Sequence, residues 1–274
     1  MNQRVPLDVA AVSHPGRVRS HNEDAIYVDA MAGLAVLADG MGGCRAGEVA
    51  SAIAVDHLAH TVAPELNANG DLSSVDSASG LTRAGALLSR QIYAANKAII
   101  TAGHERPECR GMGTTIVAGV FRGEWASIGH VGDSRCYRLR RDSFQQLTRD
   151  HSLLQEQVDS GLLTAEEARH ATHRNLVTRA LGIDDTPVVD VVEYRLEVGD
   201  VYLFCSDGLT DMVEPEIIGG IVRRNASNLA AAAMDLVERA NENGGRDNIS
   251  VVLVGIPTGF LPEAGWVRRL WGRG

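Results

Sequence analysis

The chain has few aromatic residues, four scattered cysteines, no excess of basic charge and no apolar run of membrane-spanning length. Phe, Trp and Tyr supply only 4% of 274 residues, so a core has to be built from Val, Ile, Leu and Ala. Cys44, Cys109, Cys136 and Cys205 form no Cys-x-x-Cys pair, which argues against a zinc ribbon or redox couple and for reduced thiols in a cytosolic protein. A formal charge of -9 argues against nucleic acid as a partner, because affinity for a phosphate backbone needs a basic surface. Met1 to Asp8 lacks the apolar centre of a secretion signal. The expected compartment is the cytoplasm, and membrane contact is not expected.

What is present is a globular composition, 45% hydrophobic and 22% charged, with ample material for a core. Short β-rich runs bounded by Gly, Asn or Asp predict strands over Leu7–Ser13, Ala25–Asp29 and Leu34–Ala38. Helical spacing of apolar residues predicts helices over Ala46–Val62 and Leu81–Ala102, separated by a polar loop. A second strand block covers Thr114–Phe121, Trp125–Val131, Arg135–Leu139 and Phe144–Leu147, with hairpin turns such as Arg122-Gly123-Glu124. Asp150–Gly182 reads as polar and helical in pieces, with a capping-box start at Thr164 to Glu167. Strands return at Val188–Tyr194 and Val201–Ser206, then helices at Glu214–Arg224 and Asn228–Asn241, then a strand at Ile249–Gly255. This order lacks βαβ alternation and predicts an α+β fold, two antiparallel sheets with helices on the outer faces. No repeat or linker divides it. The expected organisation is one domain over 1–256 and a tail over 257–274. The tail holds two of the three tryptophans and is read as docking on its own domain or disordered, ahead of a membrane or partner contact.

The informative pattern is an acidic residue beside glycine at a strand end. Asp39-Gly40 follows Leu34 to Ala38, Asp207-Gly208 follows Val201 to Ser206, and Gly245-Arg246-Asp247-Asn248 precedes the last strand. Gly132-Asp133-Ser134 is a fourth case. Each alone is an ordinary turn. Together they suggest short carboxylates gathered from distant segments around hard divalent cations, which take oxygen ligands. Upstream, Gly16-Arg17-Val18-Arg19-Ser20-His21-Asn22-Glu23-Asp24 pairs arginines with acids, and arginine offers a planar fork of donors for phosphate or carboxylate.

These segments occur in order with Ala38 to Gly43, Gly47-Glu48, Gly111-Met112-Gly113-Thr114-Thr115, Leu147-Thr148-Arg149-Asp150-His151-Ser152, Asn175 to Gly182 and Ser206 to Asp211. The set resembles the metal-dependent protein phosphatases (PPM, the type 2C serine/threonine phosphatases), most closely the bacterial members. That resemblance implies an αββα sandwich with two Mn²⁺ or Mg²⁺ ions in a cleft. It implies that Asp39 bridges them, that the Gly40 carbonyl binds the first, and that Asp207 and Asp247 hold the second. Asp133 with Asp207 matches the place of a third, weaker metal, and Arg19 matches the arginine that binds the substrate phosphate. Arg17 is the rival and is read as a surface residue. The implied reaction is hydrolysis of phosphoserine and phosphothreonine in proteins by an activated water, opposing a bacterial serine/threonine kinase, with the enzyme a monomer.

Two positions depart from the family pattern. Eukaryotic relatives carry histidine directly after the Asp-Gly, where this chain has Met41; many bacterial relatives carry histidine after the Gly-Gly, where it has Cys44. A side-chain general acid is therefore not identified. His151 and His173 are candidates but are read as structural or surface residues, Cys44 as a redox-sensitive residue or a small turn residue, and Cys205 as core. The alternative is a catalytically weak relative that binds phosphoproteins. An aspartyl-nucleophile phosphohydrolase would need an Asp-x-Asp-x-Thr strand end, and none occurs.

Overall fold

Strand β3 (Leu34–Met41) shows how the layers arise. Leu34, Val36 and Ala38 enter one hydrophobic core, and the alternate residues Ala35 and Leu37 enter another. A strand buried on both faces reads as a continuous apolar run, and period-two alternation splits that run between two cores. The computed structural model describes residues 5–42, 46–68, 70–164, 167 and 176–261. The strands are β1 (Asp8–His14), β2 (Asp24–Asp29), β3, β4 (Gly113–Thr114), β5 (Ile116–Arg122), β6 (Trp125–Val131), β7 (Arg135–Arg140), β8 (Ser143–Gln146), β9 (Asp190–Arg195), β10 (Val201–Cys205) and β11 (Ile249–Gly255). The helices among the described residues are α1 (Ala46–Asn67), α2 (Arg83–Glu105), α3 (Leu153–Asp159), α4 (Asp207–Thr210), α5 (Pro215–Arg224) and α6 (Leu229–Glu242).

One sheet runs β1-β11-β10-β7-β8 and the other β2-β3-β5-β6-β9, with β4 paired to β3 and every pairing antiparallel. Helices α1 and α2 cover the outer face of the second sheet through Leu58, Leu88 and Ile92, and α5 and α6 cover the first through Ile218 and Leu236. Between the sheets lie Phe121, Tyr202 and Phe204. Phe121 meets the two other rings edge-on at 5.0 and 6.3 Å. Gly119 leaves the space into which the Phe204 ring projects. The expected α+β sandwich is therefore the observed one.

The differences are local. Helix α1 continues past Val62 because Ala63 and Leu66 extend its buried stripe, although Pro64 sits in its last turn. The strand expected from Thr114 breaks at Thr115, whose N–H turns to the Asp39 carbonyl (2.8 Å). Ser206 leaves the strand for the N-cap position of α4, with its hydroxyl turned to Asp24 rather than to the helix. Thr164 and Glu167 form the reciprocal capping-box bonds, at 2.8 and 3.2 Å. Phe260 and Leu261 pack on the inter-sheet core, while residues 262–274 of the tail, Cys44 and His173 lie outside the described residues. No described helix is long and apolar enough to cross a membrane.

Candidate functional site

Antiparallel pairing decides which strand ends meet. His14 of β1 is opposite Ile249 of β11, and Cys205 of β10 is opposite Val251 of β11 and Arg135 of β7. The segment after β1, the start of α4, the turn before β7 and the turn before β11 therefore share one end of the sheet. In the other sheet Asp39 of β3 is opposite Asp24 of β2, and Ile116 is opposite Val131, which leads to Asp133. Asp39, Asp133, Asp207 and Asp247 thus converge between the sheets, joined by Asp24 and Asp211. Arg19 stands at the rim with its Nη2 donating to Asp247 Oδ2 at 2.7 Å.

A hydrogen-bonded frame fixes these groups. The Thr115 hydroxyl accepts from the Asp39 N–H (3.1 Å) and bonds the Ser134 hydroxyl (2.7 Å), tying the Asp39 strand to the Asp133 turn. Thr114 Oγ1 donates to the Asp39 carbonyl (2.9 Å). Buried Asn248 accepts from the Glu23 N–H (2.8 Å) and donates to the carbonyls of Pro15 (3.1 Å) and His21 (2.8 Å), clamping the arginine loop beside Asp247. A Cβ on Gly40 would collide with the carbonyl oxygens of Gly47 and Glu23, so only glycine lets these backbones cross.

Crowding acids in a poorly hydrated place raises the cost of their charge. Burial first, then the charges of Asp24, Asp207, Asp133 and Asp247, hold the Asp39 carboxyl well above the usual range. Burial and the neighbours Asp133, Asp211, Asp247 and Asp24 do the same for Asp207. Asp24 and Asp133 are pushed up to about 6, chiefly by burial. Asp24 Oδ1 is buried without any hydrogen-bond partner, while Oδ2 accepts from Ser206 (2.9 Å). Oxygen donors in mutual repulsion, one of them unpartnered, fit hard divalent cations, which offset the repulsion and accept carboxylate and carbonyl ligands.

The five positions expected to hold metal thus lie together with the expected phosphate arginine. Arg17 is exposed, in keeping with its reading as a surface residue. Met41 ends β3 beside Gly113, and its thioether offers no proton. His151 is buried and structural. Its Nδ1 accepts from the Gly132 N–H (3.1 Å), so Nε2 donates to Asp190 (3.2 Å), and its ring stacks on His130 at 4.7 Å. His130, His151 and Asp190 bring possible ligand atoms within 4.8 Å, but the Arg179 guanidinium lies 3.3 Å from His151 and 3.7 Å from Asp190, so a cation already serves that spot. Sequence reasoning gave no separate role to Asp24, Asp211, Thr115 or Asn248, although each lay in a quoted motif. Their polar side chains at strand ends were the available signal.

The chain is similar in sequence and fold to known proteins. The protein phosphatase 2C family model matches residues 16–236. The serine/threonine protein phosphatase PstP of Mycobacterium tuberculosis is 40% identical over 251 residues, 91% of this chain, which spans 45% of that protein's length. The serine/threonine phosphatase stp of Listeria innocua is 36% identical over 242 residues, 87% of this chain and 92% of that one. The crystal structure of the PstP catalytic domain in complex with two manganese ions superposes with a TM-score of 0.78 at 38% identity, covering 92% of this chain and 99% of that one. This chain belongs to the protein phosphatase 2C family.

Proposed function

We propose that the protein is a Mn²⁺- or Mg²⁺-dependent phosphatase that hydrolyses phosphoserine and phosphothreonine in proteins. The observation that carries this reading is the convergence of Asp39, Asp133, Asp207 and Asp247 with Arg19, 2.7 Å from Asp247, at one end of the sandwich. Asp39 and the Gly40 carbonyl would hold the first cation, Asp39, Asp207 and Asp247 the second, and Asp133 with Asp207 a third. When bound, such ions supply a water nucleophile at neutral pH and neutralise charge on the phosphate.

The chain's own residues do the rest. Arg19 commits one N–H to Asp247 and keeps others for the phosphate oxygens, orienting the ester against the acids. Thr115 and Ser134 keep Asp39 and Asp133 in fixed relation, a preorganisation that lowers the reorganisation needed during reaction. No side chain at 41 protonates the leaving oxygen. In this reading residues 1–256 form the phosphatase domain and 257–274 a tail. The protein acts as a cytoplasmic monomer, opposing a serine/threonine kinase whose phosphoproteins are its substrates. Free Cys109, Cys136 and Cys205 are in keeping with that compartment.

The test gives purified protein a phosphothreonine peptide with Mn²⁺, with chelator, and as Asp39→Asn and Asp207→Ala variants. Turnover is expected only for the wild type with metal. Activity surviving chelation or either substitution would sink the reading. Binding of the phosphopeptide without turnover favours the catalytically weak binding module instead.

A further inference from the structure

The glycines before Asp247 form a shelf beside the site. The Arg17 Cγ lies 3.1 Å from where a Cβ on Gly245 would stand, and the Arg246 Cγ and Nε lie 3.8 and 3.9 Å from the corresponding place on Gly244. Consecutive Cα atoms are only about 3.8 Å apart, so two arginine stems from distant segments lie against two adjacent glycines, which Asn241 Oδ1 and Met212 Sδ also approach. Both residues are exposed, and among the described residues neither forms an ion pair with a carboxylate. Arg19, between them in sequence, is already engaged by Asp247.

The shelf is fastened rather than loose. Gly245 O accepts from the N–H groups of Arg17 (2.7 Å) and Val18 (3.2 Å), and Asn248 holds the carbonyls of Pro15 and His21 on either side of the loop. The backbone carrying Arg17 and Arg19 is therefore fastened to the segment that carries Arg246 and Asp247. The chain carries a formal charge of -9, so a cationic spot at the rim of an acidic protein marks where an anionic partner enters.

We propose that Arg17 and Arg246 bind acidic side chains flanking the phosphorylated residue, and so make this enzyme selective for phosphorylation sites embedded in Asp/Glu-rich segments. The guanidinium fork matches a carboxylate in two parallel hydrogen bonds, and two forks on one shelf accept two neighbouring acids. The proposal rests on the phosphatase reading above.

The experiment compares phosphothreonine peptides that differ only in having Glu, Ala or Lys on both sides of the phosphoresidue, with Mn²⁺. It uses wild type and the double variant Arg17→Ala, Arg246→Ala, whose fold is checked by its melting curve. Wild type should favour the Glu peptide over the Ala peptide by about fivefold in kcat/KM, the scale of two exposed ion pairs. The preference should shrink to near one in the double variant and at roughly 0.5 M salt. Turnover of the Ala peptide and of p-nitrophenyl phosphate should be unchanged by the substitutions. Equal rates on Glu and Ala peptides, or a preference that survives in the double variant, overturns the inference alone. So does a gain from a second phosphate with none from Glu. No turnover of any peptide sinks the phosphatase reading, and this one with it.

Discussion

Asp24→Asn tests whether the carboxylate cluster is electrostatically costly until cations arrive. Asp24 faces Asp39 across β2 and β3, and its Oδ1 is buried without a partner. Burial pushes its carboxyl from the ordinary 3.8 to about 6. Above pH 6 the group is ionised in both folded and unfolded chains, and the folded state bears the whole cost. As pH falls from about 6 to 3.8 the folded state takes its proton first and the cost is relieved, so this group adds stability on acidification. At 1.36 kcal/mol per pH unit the cost at pH 7.5 is about 3 kcal/mol. Asn keeps the shape, still accepts from Ser206, and removes the charge. In chelator at pH 7.5 the variant should therefore melt higher by roughly 6–12 °C for a chain of this size, and the gap should close towards pH 4. His130 and His151, whose burial lowers their pKa, lose stability on acidification, but they are common to both proteins and cancel in the difference. With Mn²⁺ the order should reverse or narrow, because the wild type gains more from the cation. Thermal melts from pH 7.5 to 4, with chelator and with Mn²⁺, read all of this. A variant no more stable than wild type at pH 7.5 in chelator, or a gap that persists unchanged to pH 4, refutes the reasoning.

Other substitutions probe the frame. Asn248→Ala removes one acceptor and two donors of the loop clamp, which should lower stability by about 2–4 kcal/mol and raise KM for a phosphopeptide more than it lowers kcat, as melts and steady-state kinetics would show. Thr115→Val keeps the shape but deletes the hydroxyl shared by Asp39 and Ser134; calorimetric titration should find Mn²⁺ affinity lower by roughly tenfold or more, and unchanged affinity would remove Thr115 from the frame. Phe204→Ala empties the space between the sheets and should cost about 3–5 kcal/mol in denaturant unfolding, with a smaller loss meaning that the sheets close up.

Much of this protein was legible in its residues. Leu34 to Ala38 and Val201 to Cys205 are apolar on both faces, so each demanded a layer on either side, and antiparallel sheets under helices follow from that demand. Asp39, Asp133, Asp207 and Asp247 declared themselves by their glycine neighbours at strand ends, since that chemistry is local. The contacts among them are not local. Arg19 meets Asp247 across 228 positions, and Asn248 reaches Glu23 across 225. Both depend on β1 lying beside β11 in one register, which no residue in either strand specifies alone. A shift by one residue would turn every side chain to the opposite face, so only the assembled sheets decide that Asp24 opposes Asp39. The same packing lays Arg17 beside Gly245. Sequence supplied the donors and their strand-end positions, and tertiary structure decided their distances, because register and layer packing are set by the whole core at once.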